Sequence, residues 1–283
     1  MMGATIGTSA RKRLPEIIAG AALLSILGSL LLFYLIDLRN LWGIGSFVNR
    51  LFFHHWWRDG GPVEWLQWAC LASASLMGAF IVGRVYSRKN RAVSFWAVMA
   101  LAFALMLIED AGNVRHRLRE YVQFVFGESE GQGIMGTVTE LLYFAVLAAI
   151  PLYALARHGR AVMTTVRTKA YIVVGFIAYA LAGSLSFIGS AFSALFDRNL
   201  YHRAGDLLYR LSLRLGDEDL AHAWTRISNE AVDAANFIQF NLMDSLVEES
   251  IELIGAAAFL AGTISYLLLV VGQSRQAAGD ESA

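Results

Sequence analysis

The run Asp244-Ser245-Leu246-Val247-Glu248-Glu249-Ser250-Ile251-Glu252 sets carboxylates at 244, 248 and 252. In a helix, residues four apart share a face, so these three stack on one side. Like charges at that spacing repel, and a cation, a set of arginines or a shared proton must offset them. Glu109, Asn113 and His116 make a second such face at i, i+4 and i+7. Carboxylates with imidazole suit zinc, manganese, iron or nickel, whereas calcium and magnesium take oxygen alone. The candidate ligands of a divalent metal ion are therefore Glu109, Asp110, His116, Glu140, Glu248 and Glu252, with Glu64, Glu249 and His202 as further members of the polar group. The competing reading is a structural network in which Arg58, Arg115, Arg117 and Arg203 neutralise the acids. His54 and His55 are adjacent, and adjacent residues on a helix face different ways. Their flanking Phe52, Phe53, Trp56 and Trp57 argue for an anchor at the lipid headgroups. No nucleophile, zinc-protease or phosphate-loop motif is present, so no catalytic residue is assigned.

The elements that must position these groups follow from composition. The 283 residues are 57% hydrophobic and only 16% charged, with mean hydropathy +0.51. A soluble domain carries about 25% charged residues. Six apolar stretches, near 15–37, 62–83, 93–111, 134–156, 170–196 and 245–271, have the length a bilayer core demands. Backbone groups in lipid must be satisfied internally, so the stretches are read as helices. The expected fold is an all-α membrane protein of six transmembrane helices in three similar hairpins, 15–84, 93–160 and 170–271, forming a single membrane domain over 1–283. Pro15 and Pro62 fall at helix starts, and Pro151 is expected to kink the fourth helix. The first stretch reads as an uncleaved helix, since its apolar run exceeds that of a signal peptide. Cys70, the single cysteine, excludes a disulfide within the chain.

Charge orients the bundle. The short connections carry 12 of the 23 basic residues, including all three lysines, but only Glu16, Asp280 and Glu281 among the acids. The long connections hold the other 20 acids and five of six histidines. Positive charge in short juxtamembrane segments marks the cytoplasmic side. The expected placement is thus a bacterial inner membrane, with both termini cytoplasmic and an acidic face turned outward.

The hairpins resemble one another. Outgoing helices end in Asp37-x-x-Asn40, Glu109-Asp110-x-x-Asn113 and Asp197-x-Asn199, and Glu64 and Glu140 each precede Gly-Arg by the same interval. An internal repeat of this kind predicts that Glu64, Glu140 and Glu252 converge at one depth. In the outer insertion 198–244, Leu200, Leu207, Leu208, Leu211 and Leu215 lie opposite Arg203, Arg210 and Arg214, as suits a helix on the membrane surface. Beyond Gly216 the last helix is expected to project past the bilayer, with Trp224, Ile227, Ala231, Ala234 and Ile238 as a stripe covering the hairpins or docking a protein partner on outer helices 200–240.

Arg58-Asp59-Gly60-Gly61-Pro62-Val63-Glu64-Trp65 resembles the D-G-x-x-E-W opening of an uncharacterised group of bacterial polytopic membrane proteins, in which a later helix ends in paired acids like Glu109-Asp110. The extra glycine before Pro62 departs from that pattern, and the resemblance implies no activity. Three functions are expected from the residues themselves. One is a metal-dependent enzyme acting on a lipid or envelope substrate; the others are a cation- or proton-linked transporter and a non-catalytic subunit of a membrane complex. The inner halves of the helices are almost free of ionisable groups, which counts against transport. The cytoplasmic charges form no basic domain, so nucleic acid is not an expected partner.

Overall fold

The computed structural model describes residues 13–85, 91–128, 133–190, 200–231 and 237–280. Among these there is helix and no strand. Six helices are long and apolar enough to cross a bilayer: Leu14–Leu38, Phe52–Val85, Arg91–Gly112, Ile134–Ala161, Val166–Ile188 and Phe237–Gln273. They are called spans one to six below. Spans one, three and four match or exceed the stretches read from sequence by a few residues. Spans two and six begin well before them, at Phe52 and Phe237, and the expected end of the fifth falls among residues 191–196, outside the described residues. Pro151 lies inside an uninterrupted helix, Ile134–His158.

Span six is the axis of the bundle. It packs against spans one, two and five, and Ala256, Ala257, Ala258 and Ala261 on it are buried. Without much hydrophobic drive in lipid, helices associate by close van der Waals packing, which small residues permit. A Cβ at Gly175 of span five would meet the Phe259 ring, and one at Gly255 would lie 2.7 Å from Tyr179. Span one packs mainly against span six and leaves Leu24, Leu27 and Leu31 exposed on its other face. Spans four and five touch each other only sparingly.

Span two is made of two pieces, Phe52–Trp57 and Pro62–Val85. The break between them is set by glycine. Gly60 has φ +74, and a Cβ at Gly61 would lie 2.6 Å from the Arg58 carbonyl oxygen. Pro62 then opens the longer piece, where its missing N–H costs nothing.

The aromatic segment before this break is not a surface anchor. Phe53 and Trp57 are fully buried, the Trp57 indole donates to Ser250 Oγ at 3.0 Å, and the Trp56 indole donates to Ser29 Oγ at 2.9 Å. The helix runs inward between spans one and six, so its rings fill a core. Trp42 and Phe47, just before this segment, are by contrast 84% and 87% exposed.

The outer insertion also differs from expectation. Leu200–Leu215 forms a helix, but Leu220–Glu230 is a separate helix rather than a projection of span six. Ala231 is extended, at φ −71 and ψ 143, and ends it. The expected stripe does pack. Trp224 and Ile238 are fully buried, and Trp224 meets Phe53 and Tyr209. Ala234 lies outside the described residues. A polar lock holds this layer to the first hairpin. Arg50 is bidentate to Asp217 at 2.7 and 2.8 Å, the Trp224 indole donates to the Arg50 carbonyl, and the Asp37 carboxylate accepts the Phe52 and Phe53 N–H groups.

Candidate functional site

At the end of the bundle away from Leu14, spans two to six enclose a cavity of about 720 Å³. Its polar end is built from three elements. The glycine turn of span two carries Asp59 and directs it beside Glu64 of the first helical turn. The Glu64 carboxylate accepts the Gly60 N–H, much as a glutamate in a capping box reaches back to the helix start. One turn further on, Gln67 Nε2 donates to Asp110 Oδ2 and to Glu252 Oε2, both at 2.6 Å. The Trp68 indole donates to the same Asp110 oxygen at 3.0 Å.

Span six supplies the third element. Leu242–Glu248 is π-helical and returns to α-helix at Glu249. The wider turn moves the acids off a strict i, i+4 ladder, and Asp244, Glu248, Glu249 and Glu252 all border the cavity. Single π turns inside α-helices recur at functional sites.

The candidate residues divide into two groups. In the first, Asp59, Glu64 and Glu249 each offer a carboxylate oxygen, all within 4.8 Å of one another. Asp110 and Glu252 adjoin them through Gln67. No arginine or lysine lies within 4 Å of Asp59, Glu64, Asp110, Asp244, Glu248, Glu249 or Glu252 among the described residues. Three buried oxygens here also lack a hydrogen-bond partner: Gln67 Oε1, Glu248 Oε2 and Glu249 Oε2. Glu64 and Gln67 are almost wholly buried.

The second group is ionic and self-contained. Arg119 Nη1 lies 3.1 Å from Glu140 Oε1, and Arg115 Nε lies 3.8 Å from Glu109 and 3.9 Å from Glu140. Arg115 also donates to Ser186 Oγ at 2.7 Å and sits over the Phe144 ring. Both nitrogens of His116 are engaged, Nε2 by Arg115 at 2.9 Å and Nδ1 facing Glu140 at 3.9 Å. Burial pushes the His116 pKa down to about 4, with the neighbouring Arg115 and Arg119 adding to the effect, so the ring is neutral at pH 7.

Sequence spacing thus brings Glu109, Asp110, Glu248, Glu249, Glu252 and Glu64 to one cavity. His116 also borders that cavity but is held by Arg115, Glu140 is joined to arginines away from it, and Arg117 is exposed and makes no ion pair among the described residues. His202 is half-buried beside Tyr201 and does not line the cavity. Asp59 and Gln67 were missed. Asp59 stands in the quoted glycine-rich motif, and Gln67 follows Glu64 by three residues on one helix face; that spacing was the available signal.

No known family model matches the chain, and comparison with curated proteins and with solved structures returns no match.

Proposed function

We propose that the acidic end of the cavity binds a divalent cation and that the protein is a metal-dependent enzyme acting on a lipid or envelope substrate at the outer face of a bacterial inner membrane. The observation that carries this reading is the carboxylate trio of exposed Asp59, buried Glu64 and half-buried Glu249, which lies beside an orphaned, buried Gln67 amide oxygen and has no ion-paired arginine or lysine among the described residues. Mutual repulsion grows as the effective dielectric falls, so a cluster of this kind calls for a cation or for protons. The separation fits an ion, since ligands on opposite sides of a cation at about 2.4 Å lie about 4.8 Å apart. Oxygen donors without imidazole favour Mg²⁺, Mn²⁺ or Ca²⁺ over zinc. His116 and Glu140, already held by Arg115 and Arg119, are left out of this ligand set.

The structural reading retains Glu109 and Glu140, which arginines do pair. A transport path finds no support in the inner part of the cavity, whose lining there includes Leu71, Leu155 and Phe259. The three hairpins are further read as a repeat, supported by Asn40 and Asn113. Both follow Asp-x-x and both are left-handed, at φ 45 and φ 46.

Manganese titration of the purified protein, followed by electron paramagnetic resonance, tests the cation. One ion per chain is expected, with affinity at least about tenfold weaker in Glu249→Gln and Glu64→Gln. Absence of bound manganese, calcium and magnesium alike in the folded wild type overturns the reading.

A further inference from the structure

The cavity does not end at the acids. Below them it continues between spans four and five, along an apolar wall from Leu141 to Leu155 on one side and Phe176 to Phe187 on the other. Fourteen residues at 1.5 Å rise is about 21 Å, more than half of a hydrocarbon core about 30 Å thick. The two spans that flank it scarcely pack together, and the lining residues Leu141, Leu152 and Ile177 are exposed. In a bilayer those residues face acyl chains, so the slot is open to lipid at its side and to the acidic site at its top.

We propose that this slot takes one acyl chain of a phospholipid from the outer leaflet, with the lipid phosphate at the polar end against the bound cation and Arg115. This deepens the preceding reading and rests on it for the phosphate. Three features favour this occupant. The span-four wall is apolar for the length of a chain, and the span-five wall carries hydroxyls only at Tyr179, Ser184 and Ser186. Arg115 is the one guanidinium that borders the cavity among the described residues, and it stands where span five meets the short helix Val114–Phe126, at Ser186. Finally, eight carboxylates around the polar end, of which Glu109 alone is ion-paired among the described residues, repel an anionic headgroup unless a cation intervenes, so headgroup binding is tied to metal.

A bulky side chain on either wall would enter the slot. Ala180 and Ala148 lie on opposite walls, line the cavity and are exposed. Neither belongs to the cation site. The probe is 1-oleoyl-lysophosphatidic acid, titrated into the detergent-solubilised full chain with Mn²⁺ and read by native mass spectrometry, with inorganic phosphate as a competitor. One lipid per chain is expected. Ala180→Trp and Ala148→Trp should each weaken it at least tenfold while Mn²⁺ uptake, measured separately, stays unchanged. Removing Mn²⁺ should weaken it as well, and Arg115→Gln should do the same. Inorganic phosphate should displace it only weakly, because phosphate cannot use the slot. If both tryptophan variants fold, take up Mn²⁺ and bind the lipid like wild type, the slot proposal fails and the cation reading stands. If the wild type takes up no Mn²⁺ yet tryptophan blocks lipid binding, the slot holds an acyl chain and the cation reading fails.

Discussion

His116 shows how one residue's surroundings decide its role. Its spacing from Glu109 suggested a metal ligand, but burial and two arginines hold its pKa near 4 in the folded chain. Unfolded, the ring titrates near its ordinary 6.5. Between those values the unfolded chain binds more protons than the folded one, so stability falls as pH drops from about 6.5 toward 4 and is fully present above 6.5. The imidazole keeps 32% exposure, and after discounting for solvent the contribution is about 1–2 kcal/mol. Thermal unfolding in detergent should therefore lose less between pH 6.5 and 4 in His116→Gln than in wild type. Parallel curves for the two proteins would remove His116 from this role.

At the scale of elements, the outer helix pair depends on Arg50, a buried cation held by Asp217 and by the Asp37 carbonyl oxygen. The Arg50 guanidinium pulls the Asp217 carboxyl below its ordinary range, mainly through their hydrogen bonds. That stabilisation is present above the unfolded value of 3.8 and is lost as pH falls below it. Asp217→Asn strands Arg50 and should cost about 2 kcal/mol, less than for a fully buried pair because Asp217 reaches solvent. Amide hydrogen exchange should rise across Leu220–Glu230 and leave span six protected; unchanged exchange in the outer helix would show that apolar packing alone holds it.

These elements also show what the sequence could reveal. Length and hydropathy were enough for the spans, because a lipid environment leaves a chain few options. The stacked acids at 244, 248 and 252 were visible for the same reason, since helical spacing fixes a face. The π turn at Leu242–Glu248 left no such mark, and it is what brings Glu249 to the cavity beside Glu248. Phe53 and Trp57 read as an anchor because composition cannot distinguish a ring that meets headgroups from one that meets another helix. The outer helix read as an extension of span six because no glycine or proline marks the break after Glu230.

For the whole molecule, the split of charge makes a direct demand on topology. A reporter fused after residue 275 should read cytoplasmic, and one inserted at Glu128 should read periplasmic. The opposite pair of results would place the acidic cavity on the cytoplasmic side and redirect any search for its substrate to the inner leaflet.

Span six, the buried axis, has a consequence for how the chain is made. It follows the other five in synthesis, yet it supplies both the packing surface for spans one, two and five and four of the acids around the cavity. Spans one, two and five must therefore wait in the bilayer without their common partner, and during that interval span five presents Gly175 and other helix-packing surfaces to lipid or to neighbouring chains. A ribosome that stalls before Phe237 leaves an intermediate in which spans two and three can pack but the central axis and the acidic site are missing. Such a nascent chain is a substrate for membrane chaperones and proteases, and the acidic site exists only in chains that have passed that checkpoint.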